Sequence, residues 1–489
     1  MTENLFTAPG TEALRLMEGL PGLIDKTFPI PKQFRSGLKH DVAELSRLLT
    51  SARGDLKEGY LGQAPMVSAY LRYFLPWNVY RLSRLLPGLP LELADGDTVT
   101  DLGSGPLTFP VALWISRPDL RAVKLEFRCI DRTGPILDAG KKLFTALAGA
   151  GSPWTIRTIR GELHGRRGDV RASGGTRSSK NSSTEGTPGL SPAVKSGAAL
   201  VSAVNVYNEI FRDIPYSDSR SLVKIAEREA RFLSDSVGPA GAILVVEPGV
   251  PRSGEFIAAL RAALSGMGRQ TVAPCPHSGE CPFPGGNHHA LLKRNTSGQR
   301  DDSTNRAGAG GKEKWCHFAF DTDDAPAKLH SLSAAAGIPK ERAALSFLLA
   351  GGAMPGAPVA TKGNGGGLRV NDSIPGTPVS GRDSVAVKAN TNKPRVTDDL
   401  TAAHDNRIAV RVISDAFPVH NMSGSQTDRT TRFGRYACSA AGSVLITGSA
   451  EEMASTPAGT LLRLALPDRE KRDPKSGALV LEPFAALPL

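Results

Sequence analysis

The segment that most limits the fold spans residues 98–115. A short strand over 98–101 runs into Asp101-Leu102-Gly103-Ser104-Gly105-Pro106 and then into a helix over 109–115. A strand that turns through two glycines straight into a helix belongs to a parallel sheet with crossover helices. The chain repeats the alternation. A strand over 125–130 is closed by Asp131, a helix follows over 135–148, and apolar strands recur at 199–206 and 242–246. The expected architecture is α/β, with helices on both faces of a mostly parallel sheet.

The glycine turn is also the first candidate site. Glycine lets the backbone approach a ligand closely and take left-handed conformations, and the helix start behind it favours an anion. Asp131 ends the next strand about 30 residues on, where doubly wound folds place an acid on ribose hydroxyls. The turn is not G-x-G-x-x-G, because position 108 is Thr. The shorter pattern suits S-adenosylmethionine better than NAD. We expect Asp101, Gly103, Gly105 and Asp131 to hold that cofactor. Asn205 joins them, from Asn205-Val206-Tyr207-Asn208-Glu209 at the end of an apolar strand. This is not the Asn/Asp-Pro-Pro-Tyr tetrad of amino-group methyltransferases, and no catalytic base stands out. Glu247, in Val246-Glu247-Pro248-Gly249, either faces the same crevice or partners a nearby helix start.

Five cysteines in 489 residues do not make a disulfide framework. Cys275 and Cys281 stand six apart in a Pro-rich loop. Cys316 follows in Trp315-Cys316-His317-Phe318, and Cys438 comes late in Arg435-Tyr436-Ala437-Cys438. Four thiolates are what a tetrahedral zinc or a cubane iron–sulfur cluster needs, and spacing alone does not separate the two. His277 and His317 are spare ligands. The four cysteines are expected to meet in space. Cys129, inside a strand, is expected to lie apart as a buried thiol.

Residues 12–90 read as helical, with Leu38, Val42, Leu45, Leu48 and Leu49 at helical spacing and a second run over 65–86 rich in aromatics. Those aromatics read as core packing, or else as a surface for a partner. Residues 405–450 offer two strand-like pieces, 408–413 and 443–447, with Cys438 between them. Segments 165–195, 292–312 and 352–400 lack periodic apolar residues and read as disordered insertions. They hold most of the excess behind the net charge of +11. They are solvated linkers or flexible arms for RNA phosphates. No apolar run approaches the roughly 18 residues of a membrane span, and residues 1–6 resemble neither a secretory signal nor a transit peptide. The expectation is a cytoplasmic protein.

In these motifs the chain resembles the methyltransferase-like family that assembles the small ribosomal subunit, which includes mitochondrial methyltransferase-like protein seventeen and its bacterial relatives. The resemblance rests on Asp101-Leu102-Gly103-Ser104-Gly105-Pro106, Val246-Glu247-Pro248-Gly249, Ala273-Pro274-Cys275-Pro276-His277, Cys281-Pro282, Trp315-Cys316-His317-Phe318 and Cys438. It covers roughly residues 35–450 without the insertions. It implies a [4Fe–4S] cluster on Cys275, Cys281, Cys316 and Cys438, S-adenosylmethionine near Asp101, Gly103, Gly105 and Asp131, and binding to small-subunit ribosomal RNA. The insertions and the N-terminus point to a bacterial member.

The resulting expectation is a Rossmann-like methyltransferase fold. It comprises an N-terminal helical region over 1–90, a core over 91–270, a four-cysteine metallocluster module over 271–450 and a tail over 451–489. The expected function is a methyltransferase acting on ribosomal RNA or the assembling small subunit. The alternative is a non-catalytic assembly factor in which cofactor and cluster are structural or redox-sensing.

Overall fold

A computed structural model describes residues 4–52, 63–162, 197–286, 314–353, 407–419, 432–467 and 469–482. The expected insertions at 165–195 and 292–312 lie outside the described residues, as does the third from 354 onward. Its first two residues instead end a strand.

The larger sheet contains β1 Thr98–Leu102, β2 Glu126–Asp131, β3 Thr155–Arg160, β4 Ala198–Val204, β5 Val237–Pro248, β6 Arg269–Ala273, β7 Phe318–Asp321 and β8 Arg342–Ala353. Its order is β3-β2-β1-β4-β5-β8-β6, with β7 also on β8. β1 pairs in parallel with β2 and β4, β2 with β3, and β4 with β5. β8 runs antiparallel between β5 and β6. The run β3-β2-β1-β4-β5 is the Rossmann-like doubly wound order, and it reverses direction between β1 and β4. Ligands of such sheets bind outside the carboxyl ends of the strands at that reversal. The glycine turn after β1 lies there.

Apolar burial follows from the sheet's two faces. Val99, Phe127 and Leu200 face one core, which also holds Phe109, Leu113 and Leu143 from α5 (Thr108–Ser116) and α6 (Gly134–Ala148). Leu102, Val201 and Ile243 face the other, shared with α8 (Ser219–Ser236) and α9 (Pro251–Gly266). All nine residues of α5 are buried. A helix apolar all round needs cover on every side. That cover comes from the N-terminal helices α1 (Thr11–Thr27) and α4 (Leu75–Leu85), which pack against α5. Trp77 of α4 is buried, and its indole donates to Ser333 Oγ at 3.1 Å on α10 (Ala327–Ala335).

The helix before α4 is not regular. α3 (Ala64–Ala69) and α4 are joined by one wide π-turn, Tyr70–Phe74. Pro76 supplies the reason. It lacks an N–H, and its ring would crowd the carbonyl four residues back, so the helix widens ahead of it.

A second sheet follows. It contains β9 Arg407–Val412, β10 Phe417–Val419, β11 Arg432–Ser439, β12 Gly442–Gly448, β13 Leu461–Ala465 and β14 Leu479–Leu481. Its order is β13-β9-β11-β12-β14, with β10 also on β11. α11 (Ala450–Ser455) sits between β12 and β13 behind a capping box of Ser449 and Glu452. Val410, Val412, Ala437, Val444 and Ile446 form its own small core. Residues 451–482, left as a tail by the sequence reading, thus supply a helix and two strands of this sheet.

Gly140 fixes the distance between α6 and the glycine turn. A Cβ there would lie 2.4 Å from the Pro106 carbonyl carbon and 2.7 Å from its oxygen. Those are backbone atoms of the turn and cannot swing aside. Gly140→Ala is therefore expected to lower unfolding free energy by about 1–3 kcal/mol, as overpacking does, measured by urea denaturation. An unchanged midpoint would show that the helix shifts at no cost.

Candidate functional site

At the end of β1 the chain turns through Gly103, Ser104 and Gly105, with φ of +60° at Gly103 and +53° at Gly105. The two glycines serve different ends. A Cβ on Gly103 would lie 2.6 Å from Val206 Cγ2, so Gly103 is needed for packing against the β4 end. A Cβ on Gly105 would meet nothing within 4 Å. The open approach to the backbone is at Gly105.

Asp131, at the end of β2, leans over the turn. Its carboxylate accepts from the Gly105 amide at 3.0 Å and from the Thr133 amide at 2.8 Å. Burial raises its pKa, opposed by those two amide bonds. Asp101 is buried, and its carboxylate accepts from Ser104 Oγ at 2.5 Å and Ser202 Oγ at 2.7 Å. It ties β1, the turn and β4 together. Burial pushes its pKa from 3.8 up to about 7.

Asn205 ends β4 with φ +56°, a left-handed conformation uncommon outside glycine. Its amide donates to Val246 O at 2.8 Å. Its Oδ1 is buried and has no hydrogen-bond partner among the described residues. Glu247 takes the plainer of its two roles. Its carboxylate accepts from the amides of Val206, Tyr207 and Asn208 at 2.8–3.1 Å, at the start of α7 (Tyr207–Ile210).

Asp101, Gly103 and Asn205 line one recess, and the N-terminal helices close it with Tyr70 and Asn78. The recess is only about 10 Å³, the room of about one water. Tyr70 lies within electrostatic reach of Asp131, Glu209 and Arg81, and burial holds its hydroxyl far above the ordinary range. Arg81 anchors this roof, donating to Asn78 Oδ1 and to Ala344 O at 3.0 Å. The sequence reading missed Tyr70 as a site residue. An aromatic at helical spacing reads as core, and only the π-turn beside Pro76 marked it out.

The second set of expected residues lies where the second sheet meets the first. Cys281, Cys316 and Cys438 are buried and Cys275 is half-buried. The four act on one another. Burial, then the charges of Cys275, Cys281 and Cys438, raise the Cys316 thiol well above its usual value. Burial, then Cys275 and Cys281, do the same at Cys438. Cys275 is pushed up to about 11 by burial, against the pull of Arg261 and Arg411. Arg261 acts on all four thiols. It also pins the loop, donating to His277 O at 3.0 Å and Gly279 O at 2.7 Å. Arg411 of β9 donates to Pro274 O at 3.1 Å and Gly459 O at 2.8 Å. His277 Nε2 lies 3.4 Å from Cys438 Sγ, and its Nδ1 has no partner among the described residues. His317 stacks instead on Trp315, with ring centroids 4.5 Å apart. Among the described residues, no three or more His, Cys, Asp or Glu side chains already surround one point in metal-ligating geometry. Cys129 sits in β2 opposite Asp101, apart from this group.

Residues 217–294 match the family model of the mitochondrial small ribosomal subunit protein Rsm22. The chain is similar to Rsm22. That match spans α8, β5, α9 and β6 and includes Cys275 and Cys281, and it bears out the resemblance read from the sequence. No curated protein matches the chain. Among solved structures, a putative methyltransferase in complex with the Haloferax volcanii Trm112 activator is 12% identical, with 57% of this chain and 90% of that one covered at a TM-score of 0.24. A SAM-dependent methyltransferase from Thiobacillus denitrificans, bound to S-adenosyl-L-homocysteine, is 15% identical over 56% and 90%, with a TM-score of 0.25. Phosphoethanolamine N-methyltransferase 2 from Haemonchus contortus is 12% identical over 62% and 61%, with a TM-score of 0.27. The strand order, not these shallow likenesses, carries the Rossmann-like assignment. No helix among the described residues is long and apolar enough to cross a membrane.

Asp101 gives a pH signature. Its pKa is raised on folding, so the native state holds its proton more tightly than the unfolded chain does. Stability from this group is full near pH 4 and declines as pH rises to about 7. Asp101→Asn removes the decline. The urea stability of the variant should gain on the wild type by up to about 1.4 kcal/mol per pH unit across that window. Parallel stability curves would refute the buried, proton-holding carboxyl.

Proposed function

We propose that the protein is a methyltransferase-like factor of the small ribosomal subunit, working in the cytoplasm and contacting the subunit or its RNA. The observation that carries this is the pairing of an Rsm22-type segment with a glycine turn at the reversal point of a Rossmann-like sheet. The donor set suits S-adenosylmethionine. Gly105 leaves its backbone open, Asp131 stands over the turn, and Asn205 offers an unmatched acceptor. Gly103, Gly105, Asp131 and Asn205 would hold the cofactor, with Asp101 bracing the turn beneath. When bound, the cofactor supplies an electrophilic methyl group. The chain's contribution would be to orient it and exclude water.

The volume does not suit it while Tyr70 is in place. A recess of about 10 Å³ admits no nucleoside. The second reading is the non-catalytic assembly factor in which cofactor and cluster are structural or redox-sensing, and a recess lined by Tyr70 and Asn78 of the N-terminal helices is in keeping with it. The two readings separate at Tyr70.

We further propose that Cys275, Cys281, Cys316 and Cys438 hold a [4Fe–4S] cluster, with zinc as the alternative. Support comes from the mutual electrostatic reach of the thiols and from two buried arginines beside them. A metal centre with four thiolates is anionic, and Arg261 and Arg411 would offset that charge. Such a cluster would staple the second sheet, through Cys438 on β11, to the loop after β6.

Two measurements test these readings. Calorimetric titration with S-adenosylhomocysteine should show at least tenfold tighter binding to Tyr70→Ala than to wild type, about 1.4 kcal/mol, and Asp131→Ala in that background should reverse the gain. If neither protein binds, the cofactor reading falls. If the wild type binds equally well, Tyr70 is no barrier. Anaerobically purified protein should be brown, with about four iron atoms per chain, and Cys316→Ser should lose the iron while Cys129→Ser keeps it. Colourless wild-type protein with one zinc would replace the cluster with the ion.

A further inference from the structure

The second sheet has a topology of its own. β9, β11 and β12 pair antiparallel in succession, α11 follows β12, β13 returns antiparallel to β9, and β14 closes in parallel on β12. Five strands in this order, with a helix between the third and fourth, make the partly open Greek-key barrel of the OB type. Such barrels bind oligonucleotides or oligosaccharides on the face of the second and third strands and on the loops joining strands one to two and four to five.

Here the middle of that face is already used. Tyr436 and Cys438 on β11 and Leu445 on β12 belong to the large core shared with the first domain, and Arg411 on β9 is tied to Pro274. What remains is the rim, where the two loops meet. Phe417, at the start of the short strand β10 in the connection between strands one and two, stacks on Tyr436 with ring centroids 5.1 Å apart and planes 25° from parallel. Lys314 Nζ lies 4.4 Å from the Tyr436 ring centroid. Lys475, in the loop between β13 and β14, lies within electrostatic reach of Lys314. Arg469, Lys471 and Lys475 of that loop are exposed. Two nearby acids are paired with arginines, Asp415 with Arg342 at 2.6 Å and Glu470 with Arg472 at 2.9 Å; Asp473 accepts from the Ser476 amide at 2.9 Å and keeps its charge within reach of Lys314, so the cations of the rim outnumber it.

We propose that this rim binds single-stranded RNA, with a base stacking on the half-exposed ring of Phe417, which the buried Tyr436 backs from the core side, and phosphates on Lys314 and Lys475. A strand without a duplex partner needs an aromatic platform for exposed bases and cations tracking its backbone, and the rim has both. A duplex hides its bases and has no use for the Phe417 ring. An acidic protein segment would use the cations alone. This inference deepens the small-subunit reading and rests on it for the choice of RNA.

The test uses the full chain and a fluorescein-labelled U-rich 12-mer, single-stranded or annealed to its complement, with anisotropy measured across a salt series. The wild type should prefer the single strand. Phe417→Ala should weaken that binding at least fivefold, the lower end of one lost stack. Lys314→Gln with Lys475→Gln should flatten the logarithmic salt slope by about 1.4, or about 0.7 for each phosphate contact to a single strand. The lysine pair is exposed and keeps the test open should Phe417→Ala fail to fold, which thermal melting would reveal. Equal binding of duplex and single strand, unchanged affinity in both variants, or displacement by poly-glutamate as effective as by unlabelled RNA would overturn the proposal. Co-sedimentation with small subunits separates the two layers. Subunit binding by the wild type without any loss in the variants sinks the rim alone. No subunit binding by the wild type sinks the reading beneath it.

Discussion

Three carboxylates order the working edge of the sheet. Where a parallel strand ends and a helix begins, backbone amides lose their ladder partners and must find others. Asp131 takes two of these amides, Gly105 and Thr133, and Glu247 takes three at the start of α7. Asp101 binds the hydroxyls of Ser104 and Ser202 instead, across β1 and β4. The side chains that look most like ligand contacts are thus first of all the pieces that shape the turns. A cofactor held here would share these acids with the backbone. Among the described residues, Asn205 Oδ1 is an unmatched polar group on this edge, as is the buried Tyr207 hydroxyl, and Asn205 holds a backbone conformation that costs energy.

The other junction is built from cations. Arg411 is almost wholly buried in β9, yet its guanidinium reaches the carbonyl just before Cys275. Arg261 reaches the same loop from α9. Burying guanidinium groups costs several kcal/mol unless anions or hydrogen bonds offset them. Carbonyl oxygens do part of that work. The four thiols do more if they are ionised, and burial opposes ionisation in the protein alone, holding each thiol up. A bound cation or cluster would resolve the conflict by making thiolates of all four.

Much of the sheet was legible in the sequence because its strands are short apolar runs cut by glycines and acids. β1, β2, β4 and β5 stand close to where the alternation put them. β8 was not legible. Arg342–Ala353 is rich in Ala and Leu, which favour helices, yet it is a strand with neighbours on both edges. Strands buried on both faces lose the alternating pattern that would identify them. β3 failed for the opposite reason. Its Thr and Arg leave it half exposed at the sheet's edge, with little apolar signal. Cys438, placed between two strands by the sequence reading, lies on a third, β11, because the Arg-Tyr-Ala-Cys run alternates too weakly to declare itself. The barrel was invisible for a further reason. Its first strand follows a long stretch outside the described residues, and its last two fall in what read as a tail.

The roof over the cofactor cleft shows how a local irregularity acquires a functional consequence. A regular helix through residues 64–85 would turn Tyr70 by a different angle relative to Asn78 and Arg81. Pro76 forces one wide turn ahead of α4, and that extra residue redirects everything N-terminal to it. Arg81, held by Ala344 O and Asn78, fixes α4 on the core side of the break. Tyr70 lies on the other side, as the first residue of the π-turn, directly after the short and less buried α3. The cover over Gly103 therefore breaks at a position set by covalent geometry, with α4 bonded to the sheet on one side and Tyr70 lining the recess on the other. The π-turn is held as well: Leu71, Arg72 and Tyr73 are buried, and Arg72 donates to Asp25 at 3.0 Å and to the Phe28 carbonyl, so the cover at Tyr70 is tied to α1 as α4 is tied to the sheet.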